Sequence, residues 1–329
     1  MTTSIASFKR LALSALLLCV SAFSLALADD SVRVGVLKYG TVNWELKTMQ
    51  HHGLDKANGF TLEIVPFAGG DATRIALLGG EVDVIVSDWL WVSRQRSEGR
   101  DLTFVPYSSS VGSMMVAGDS KLQSLADLKG QSIGVAGGPL DKSWLLLQGM
   151  ARQEHGIDLA AENDIVFGAP PLLAEKARDG DLDVVLNYWH YCARLEADGF
   201  RRLVSAEEAA NALGSSGAVS AIGYVFADDW ASGNPAAAFV KASRETKQIL
   251  LESDEEWQRL ADNGDIKDGP EALRVLRDRF REGIPTRSHD DEVRDAGIIH
   301  GVLSELGGRK LVGDSGEMAE GTYWSGAPL

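Results

Sequence analysis

The sequence predicts an α/β protein of two similar lobes. Short β-rich runs alternate with helical patterns, which is how a mostly parallel sheet flanked by helices is encoded. The order of strand, small-residue turn and helix then occurs twice, once in each half, so two lobes are implied and not one long sheet. Length agrees, since about 300 residues after the leader described below exceed what one hydrophobic core usually organises.

In chain order, strands are expected at 32–37, 62–66, 82–86, 103–107, 113–117, 132–135, 165–167, 183–186 and 221–226, and helices at 44–52, 72–78, 142–154, 171–178 and 191–198. The turns between them carry the repeat. In the first half the strands lead into Tyr39-Gly40-Thr41, Ala68-Gly69-Gly70-Asp71 and Ser87-Asp88-Trp89. In the second half the corresponding turns are Gly137-Gly138-Pro139, Gly168-Ala169-Pro170-Pro171 and Asn187-Tyr188-Trp189. From 234 to about 306 amphipathic helices replace strands, with Ala238, Val240, Ser243, Thr246, Ile249 and Leu250 spaced for one face. This layer is expected to pack on the first lobe. The chain then crosses between lobes twice, near 116–119 and near 214–219, where Ser215, Ser216 and Gly217 can absorb backbone rotation at a hinge. The division that follows is 29–117 with 219–329 for the first lobe and 118–218 for the second.

Lys9 and Arg10 precede an apolar run from Leu11 to Leu27, and Ala26-Leu27-Ala28 supplies the small-x-small pattern of a signal peptidase site. Residues 1–28 are therefore expected to be a cleaved export signal, which places the rest in the periplasm or outside the cell. Leu16-Leu17-Leu18 before Cys19 does not fit a lipoprotein anchor. Loss of the signal leaves 30 basic against 47 acidic residues, a formal charge of −17. Such a surface disfavours nucleic acid and anionic membranes as partners. Cys192 then has no intramolecular partner, so a disulfide is excluded and the thiol reads as buried and inert. His190 would share a face with it on a strand but not on a helix.

Ligands of open α/β sheets bind outside the carboxyl ends of the strands, where loops lead into helices. That rule singles out the turns named above. Trp44, Trp89, Trp144 and Trp189, half of the eight tryptophans, lie at or just past strand ends. They suit the walls of a small-molecule cleft, although tryptophans at lobe edges also fill core gaps. Asp88 and Asn187 stand in corresponding turns just before a tryptophan, where they can orient a ligand or cap a helix. Gly69-Gly70 and Gly137-Gly138 can bring backbone N–H groups close to an acceptor such as a carboxylate or sulfonate. Thr41, Pro139 and the four tryptophans complete the candidate wall.

Signatures of catalysis are absent from the sequence. There is no Gly-x-Ser-x-Gly elbow, no phosphate loop and no His-Glu-x-x-His. The pairs His51-His52 and His289 with Asp290 and Asp291 lack further ligands at suitable spacing, and Ser108-Ser109-Ser110 has no adjacent base. No metal, no cofactor and no enzyme activity are expected.

Val32-Arg33-Val34-Gly35-Val36-Leu37-Lys38-Tyr39-Gly40-Thr41, Pro66-Phe67-Ala68-Gly69-Gly70, Gly79-Gly80-Glu81-Val82-Asp83, Leu125-Ala126-Asp127-Leu128-Lys129-Gly130 and Gly180-Asp181-Leu182-Asp183-Val184 occur in this order. As an ensemble, 32–230 resembles the aliphatic sulfonate, taurine, nitrate and pyrimidine-precursor group of periplasmic binding proteins. The resemblance implies a type II periplasmic binding fold, two hinge crossings, a monomer, and delivery of a small-molecule ligand to the permease of an ABC importer. It places ligand contacts at Tyr39, Gly69, Ser87, Asp88, Gly138 and Asn187. The sequence departs from the sulfonate pattern in carrying Asp88 and Trp89 where small neutral residues are common, and it lacks the cysteine-rich motif of the fungal pyrimidine synthases. A neutral or weakly basic organic ligand is the expectation. An enzyme or a ligand-presenting sensor built on the same fold is the alternative, because a fold does not fix a function.

Overall fold

A computed structural model describes residues 30–326, so the leader and its cleavage site lie outside the described residues. The chain forms two five-stranded sheets. The first has the order β2-β1-β3-β10-β4, with β1 Asp30–Leu37, β2 Phe60–Phe67, β3 Val84–Ser87, β4 Leu102–Ser108 and β10 Ile222–Ala227. The second has the order β7-β6-β8-β5-β9, with β5 Ser113–Val116, β6 Ser132–Ala136, β7 Asp164–Gly168, β8 Val184–Asn187 and β9 Arg201–Ser205. In each sheet the strand that follows a crossing, β10 or β5, runs antiparallel to both its neighbours, and the remaining pairs are parallel.

The first half supplies helices α1 Val42–His51, α2 Leu54–Ala57, α3 Gly70–Leu78 and α4 Trp89–Ser97. The second supplies α5 Lys142–His155, α6 Pro170–Arg178, α7 Trp189–Ala197 and α8 Ala206–Ala212. The last third adds α9 Asp228–Ala231, α10 Asn234–Glu252, α11 Asp254–Asp262, α12 Pro270–Glu282, α13 His289–Gly307 and α14 Arg309–Val312. No helix among the described residues is long and apolar enough to cross a membrane.

Packing explains the patterning. Val32, Val34 and Val36 of β1 are all buried in the first core, as alternation on a strand requires. Gly223 of β10 is obligatory, because a Cβ there would lie 2.2 Å from the Val105 carbonyl and 2.3 Å from the Phe104 ring. On α10 the buried face comprises Val240, Ser243, Thr246 and Leu250, with Ala238 and Ile249 only half-buried. Lys247 joins that face because its Nζ lies 2.7 Å from the wholly buried Glu45 Oε2.

The structure differs from the sequence expectations in three places. β5 is hydrogen-bonded to β8 and β9, so the first crossing occupies 109–112, ahead of β5 and not at 116–119 after it. The expectation that the C-terminal helices pack on the first lobe holds for α10 and α11, which lie against α1, whereas α12 packs on α7 and α13 on α5 beside the second sheet. Their apolar faces thus cover both halves. β9 is the strand the sequence did not show.

The second crossing is pinned from α13. Asp295 accepts hydrogen bonds from the backbone N–H and hydroxyl of Ser216 at 2.8 and 2.7 Å and from Arg287 at 2.6 Å. One turn earlier, Glu292 accepts from the N–H and hydroxyl of Ser220 at 3.0 and 2.8 Å.

Candidate functional site between the two sheets

A cavity of about 350 Å³ opens between the sheets at the ends of their strands. The starts of three helices converge on it: Thr41 and Val42 of α1, Lys142 and Ser143 of α5, and Trp189 and His190 of α7. Both crossings line it as well, through Ser110–Gly112 and Ala221–Ile222. Its walls therefore come from segments far apart in sequence, and any bending at the crossings changes its shape. Two open grooves of about 430 and 440 Å³ lie elsewhere, over α7 and α12 and over α11 and α12. The arginines of the first that face α7, Arg202 and Arg279, are already paired with Glu196.

Asp88 joins the halves. One carboxylate oxygen caps α4 by accepting the Trp91 N–H at 2.9 Å. The other accepts from Arg74 of α3 at 3.1 Å and lies 3.5 Å from Lys142 at the start of α5. Burial alone would raise its pKa, but Lys142 and Arg74 outweigh that and hold it below the usual carboxylate range. Asp141 caps α5 in the same way, accepting the Trp144 N–H at 3.1 Å. Here burial prevails, and the carboxyl is pushed up. Tyr188 is shifted up by burial and by Asp141. The His190 ring is held neutral, lowered to about 4, chiefly by burial.

The four tryptophans divide by position. Trp89 and Trp189 are the first residues of α4 and α7, while Trp44 and Trp144 are the third residues of α1 and α5. Two further steps of about 100° turn a helical side chain to the opposite side. Trp189 accordingly lines the cavity, and Trp89 lines a smaller apolar space behind Lys142. Trp144 is buried in the core of the second half. Trp44 is buried too, and stacks edge-on against Trp189 at 6.2 Å and Trp257 at 5.7 Å, so it backs the cavity wall without forming it.

Of the candidate ligand residues, Thr41, Asp88 and Trp189 line the cavity, as do Gly40 and Tyr188 of the turns named in the sequence. The others lie outside its lining. Ser87 is buried behind Asp88 and accepts from Arg74 at 3.2 Å. Asn187 is buried and tied to the start of α6, donating to the Pro170 carbonyl at 2.8 Å, while its side-chain oxygen accepts the Tyr188 N–H at 2.8 Å. Tyr39 is 85% exposed. Gly69 and Gly70 start α3, whose Thr73 reaches the cavity instead. Gly138 and Pro139 belong to the loop before Asp141, where Gly137 adopts φ 96°. Asp141, Lys142, Ser143 and His190 were missed as cavity residues, and Tyr188 was named only as part of its turn. The sequence did carry a signal for the first three, because Asp141 precedes a helix after β6 just as Thr41 does after β1.

Cys192 is buried in α7, with its thiol pushed up to about 12 by burial, which suits an inert group. Among the described residues, His51, His52 and Glu256 bring donor atoms within 4.8 Å of one another. Arg259 bonds both Glu256 oxygens, at 2.9 and 2.5 Å, so a metal ion would have to displace a guanidinium.

Two similar sheets, a double crossing and a cavity between them define the two-lobed fold of the type II periplasmic binding class. Residues 42–256, about two-thirds of the chain, match the NMT1/THI5-like family, and the protein belongs to it. Solved structures share the fold at low identity. The periplasmic aliphatic sulphonate-binding protein SsuA of Escherichia coli is 19% identical over 90% of this chain and 98% of its own, with a TM-score of 0.66. The alkanesulfonate-binding SsuA of Xanthomonas axonopodis pv. citri, bound to MOPS, is 16% identical over 90% and 99%, with a TM-score of 0.64. An ABC transporter protein of Parabacteroides distasonis is 12% identical over 90% and 99%, with a TM-score of 0.68. No curated protein matches the chain in sequence.

Proposed function

We propose that the protein is the solute-binding component of an ABC import system, acting outside the inner membrane as a monomer and delivering a small polar organic molecule to a permease. The observation that carries this is the cavity of about 350 Å³ whose walls come from both halves and both crossings. A ligand there is contacted by Thr41 and Asp88 from one side and Trp189 from the other, so the closed form is stabilised by the contacts that only closure completes. Family membership and the shared fold of importer binding proteins support the same function.

The test is identification of a retained small molecule by native mass spectrometry, followed by calorimetry with that compound. Trp189→Ala should weaken its binding by about 1–3 kcal/mol, roughly five- to 150-fold. Unchanged affinity would remove Trp189 from the site, and turnover of the compound by the purified protein would replace a receptor with an enzyme.

A further inference from the structure

Of the two acids that line the cavity, Asp141 makes no ion pair among the described residues. Building on the solute-binding function above, we propose that the site selects an organic ammonium ion, a small molecule whose protonated amine lies against the carboxylate of Asp141. The two acids of the cavity differ in what they already hold. Asp88 is compensated twice, by Arg74 at 3.1 Å and Lys142 at 3.5 Å. Asp141 accepts the Trp144 N–H at 3.1 Å but makes no ion pair among the described residues, and Lys142, its neighbour in the chain, turns to Asp88. Burial pushes its carboxyl up despite the Trp144 and Ser143 N–H groups and the nearby Lys142 charge.

A second group points to the same ligand chemistry. The Nδ1 atom of His190, in the lining of the same cavity, is buried without a hydrogen-bond partner. The neutral ring leaves that nitrogen as an unused acceptor in the cavity wall. Trp189 adds an aromatic face of the kind that stabilises ammonium groups. Conversely, little is available to hold a simple anion. Lys142 is the only lysine or arginine in the lining among the described residues, and Asp88 engages it. The N-termini of α1 and α7 meet the cavity without side-chain caps, which favours an acceptor atom elsewhere on the same ligand. The amine is what distinguishes the class from plain sulfonates and carboxylates.

Calorimetry on dialysed protein with benzylamine, phenethylamine and 5-aminovalerate, set against benzenesulfonate and pentanesulfonate, tests this directly. Amines should bind, and Asp141→Asn should weaken them at least tenfold without lowering the melting temperature, because Asn caps a helix as well as Asp. Binding of the sulfonates with Asp141→Asn unaffected would overturn the ammonium class while leaving a solute receptor in place. Should none of the probes bind, the molecule released by denaturing the protein from its host decides: one carrying an amine upholds the proposal and one without overturns it. Release of no small molecule, together with no binding, would overturn both the class and the solute-binding function.

Discussion

Replacing Asp88 with Asn separates the two roles of that side chain. The cap on α4 survives, since Asn accepts the Trp91 N–H as well as Asp does. What is lost is the negative charge facing Arg74 and Lys142. The Asp88 side chain is 14% exposed, against 31% for Arg74 and 38% for Lys142. Exposed pairs contribute about 0.2–1 kcal/mol and breaking a buried one costs about 3–5 kcal/mol, so half-exposed partners fall between. The shorter Arg74 contact then accounts for about 1.5 kcal/mol and the longer, more exposed Lys142 contact for about 0.5 kcal/mol. Asp88→Asn should lose about 2 kcal/mol, a fall of about 4–8 °C in melting temperature by scanning calorimetry. Asp88→Ala, which also removes the cap, should lose about 1 kcal/mol more. Lys142→Met removes only the contact between halves and should show about a quarter of the Asp88→Asn effect on melting, with a larger radius of gyration by X-ray scattering when no ligand is bound. Wild-type melting of Asp88→Asn, with Asp88→Ala lowered only by the cap, would refute the assignment of Asp88 as the electrostatic link.

Three other perturbations test the framework of the site. Lys247→Met strands the wholly buried Glu45, which also accepts from Tyr224 at 2.8 Å and Ser243 at 2.6 Å; urea denaturation should show a loss of about 3–5 kcal/mol, largely recovered by adding Glu45→Met. Burial would raise the Glu256 carboxyl, yet hydrogen bonds from Arg259, Thr48 and His52 lower it to about 2. Its stabilisation, about 3 kcal/mol, is therefore complete above pH 4.5 and is lost as pH falls toward 2, so Glu256→Gln should flatten the decline in melting temperature between pH 5 and 3. Asp295→Asn should free the second crossing from α13, seen as faster amide hydrogen exchange at Ser216, and unchanged exchange there would show that the crossing is held by other contacts.

Most of the architecture was legible because burial and chain geometry encode it locally. Parallel strands buried on both faces read as apolar runs, and 132–135 and 183–186 lie within one residue of β6 and β8 at each end. β9 escaped because Arg201-Arg202-Leu203-Val204-Ser205 carries two arginines at a sheet edge, where charged residues are tolerated. The internal repeat held the information, since β9 stands in the second sheet where β4 stands in the first. The site was harder to read because its residues are set by helix phase. Trp44 and Trp144 share a turn with cavity residues but face the cores, whereas Asp141 and His190 reach the cavity from a cap and from the second residue of a helix expected to start only at 191. Which helices of the last third lean on which half depends on pairings between distant surfaces, such as Arg194 with Asp268 at 2.7 Å and Arg279 with Glu196 at 2.8 Å, and no local pattern announces those.

β10 lies between β3 and β4, yet it is encoded after the whole of the second sheet. A chain appearing amino end first can finish the second sheet from the unbroken stretch 113–205, while β3 and β4 each wait with an unpaired edge. The first half is thus the last to be completed, through long-range pairings of the kind that form slowly. A chain stopped short of Ala227 would expose two sticky strands beside a finished neighbour, which makes early termination a route to aggregation and not to a smaller working protein.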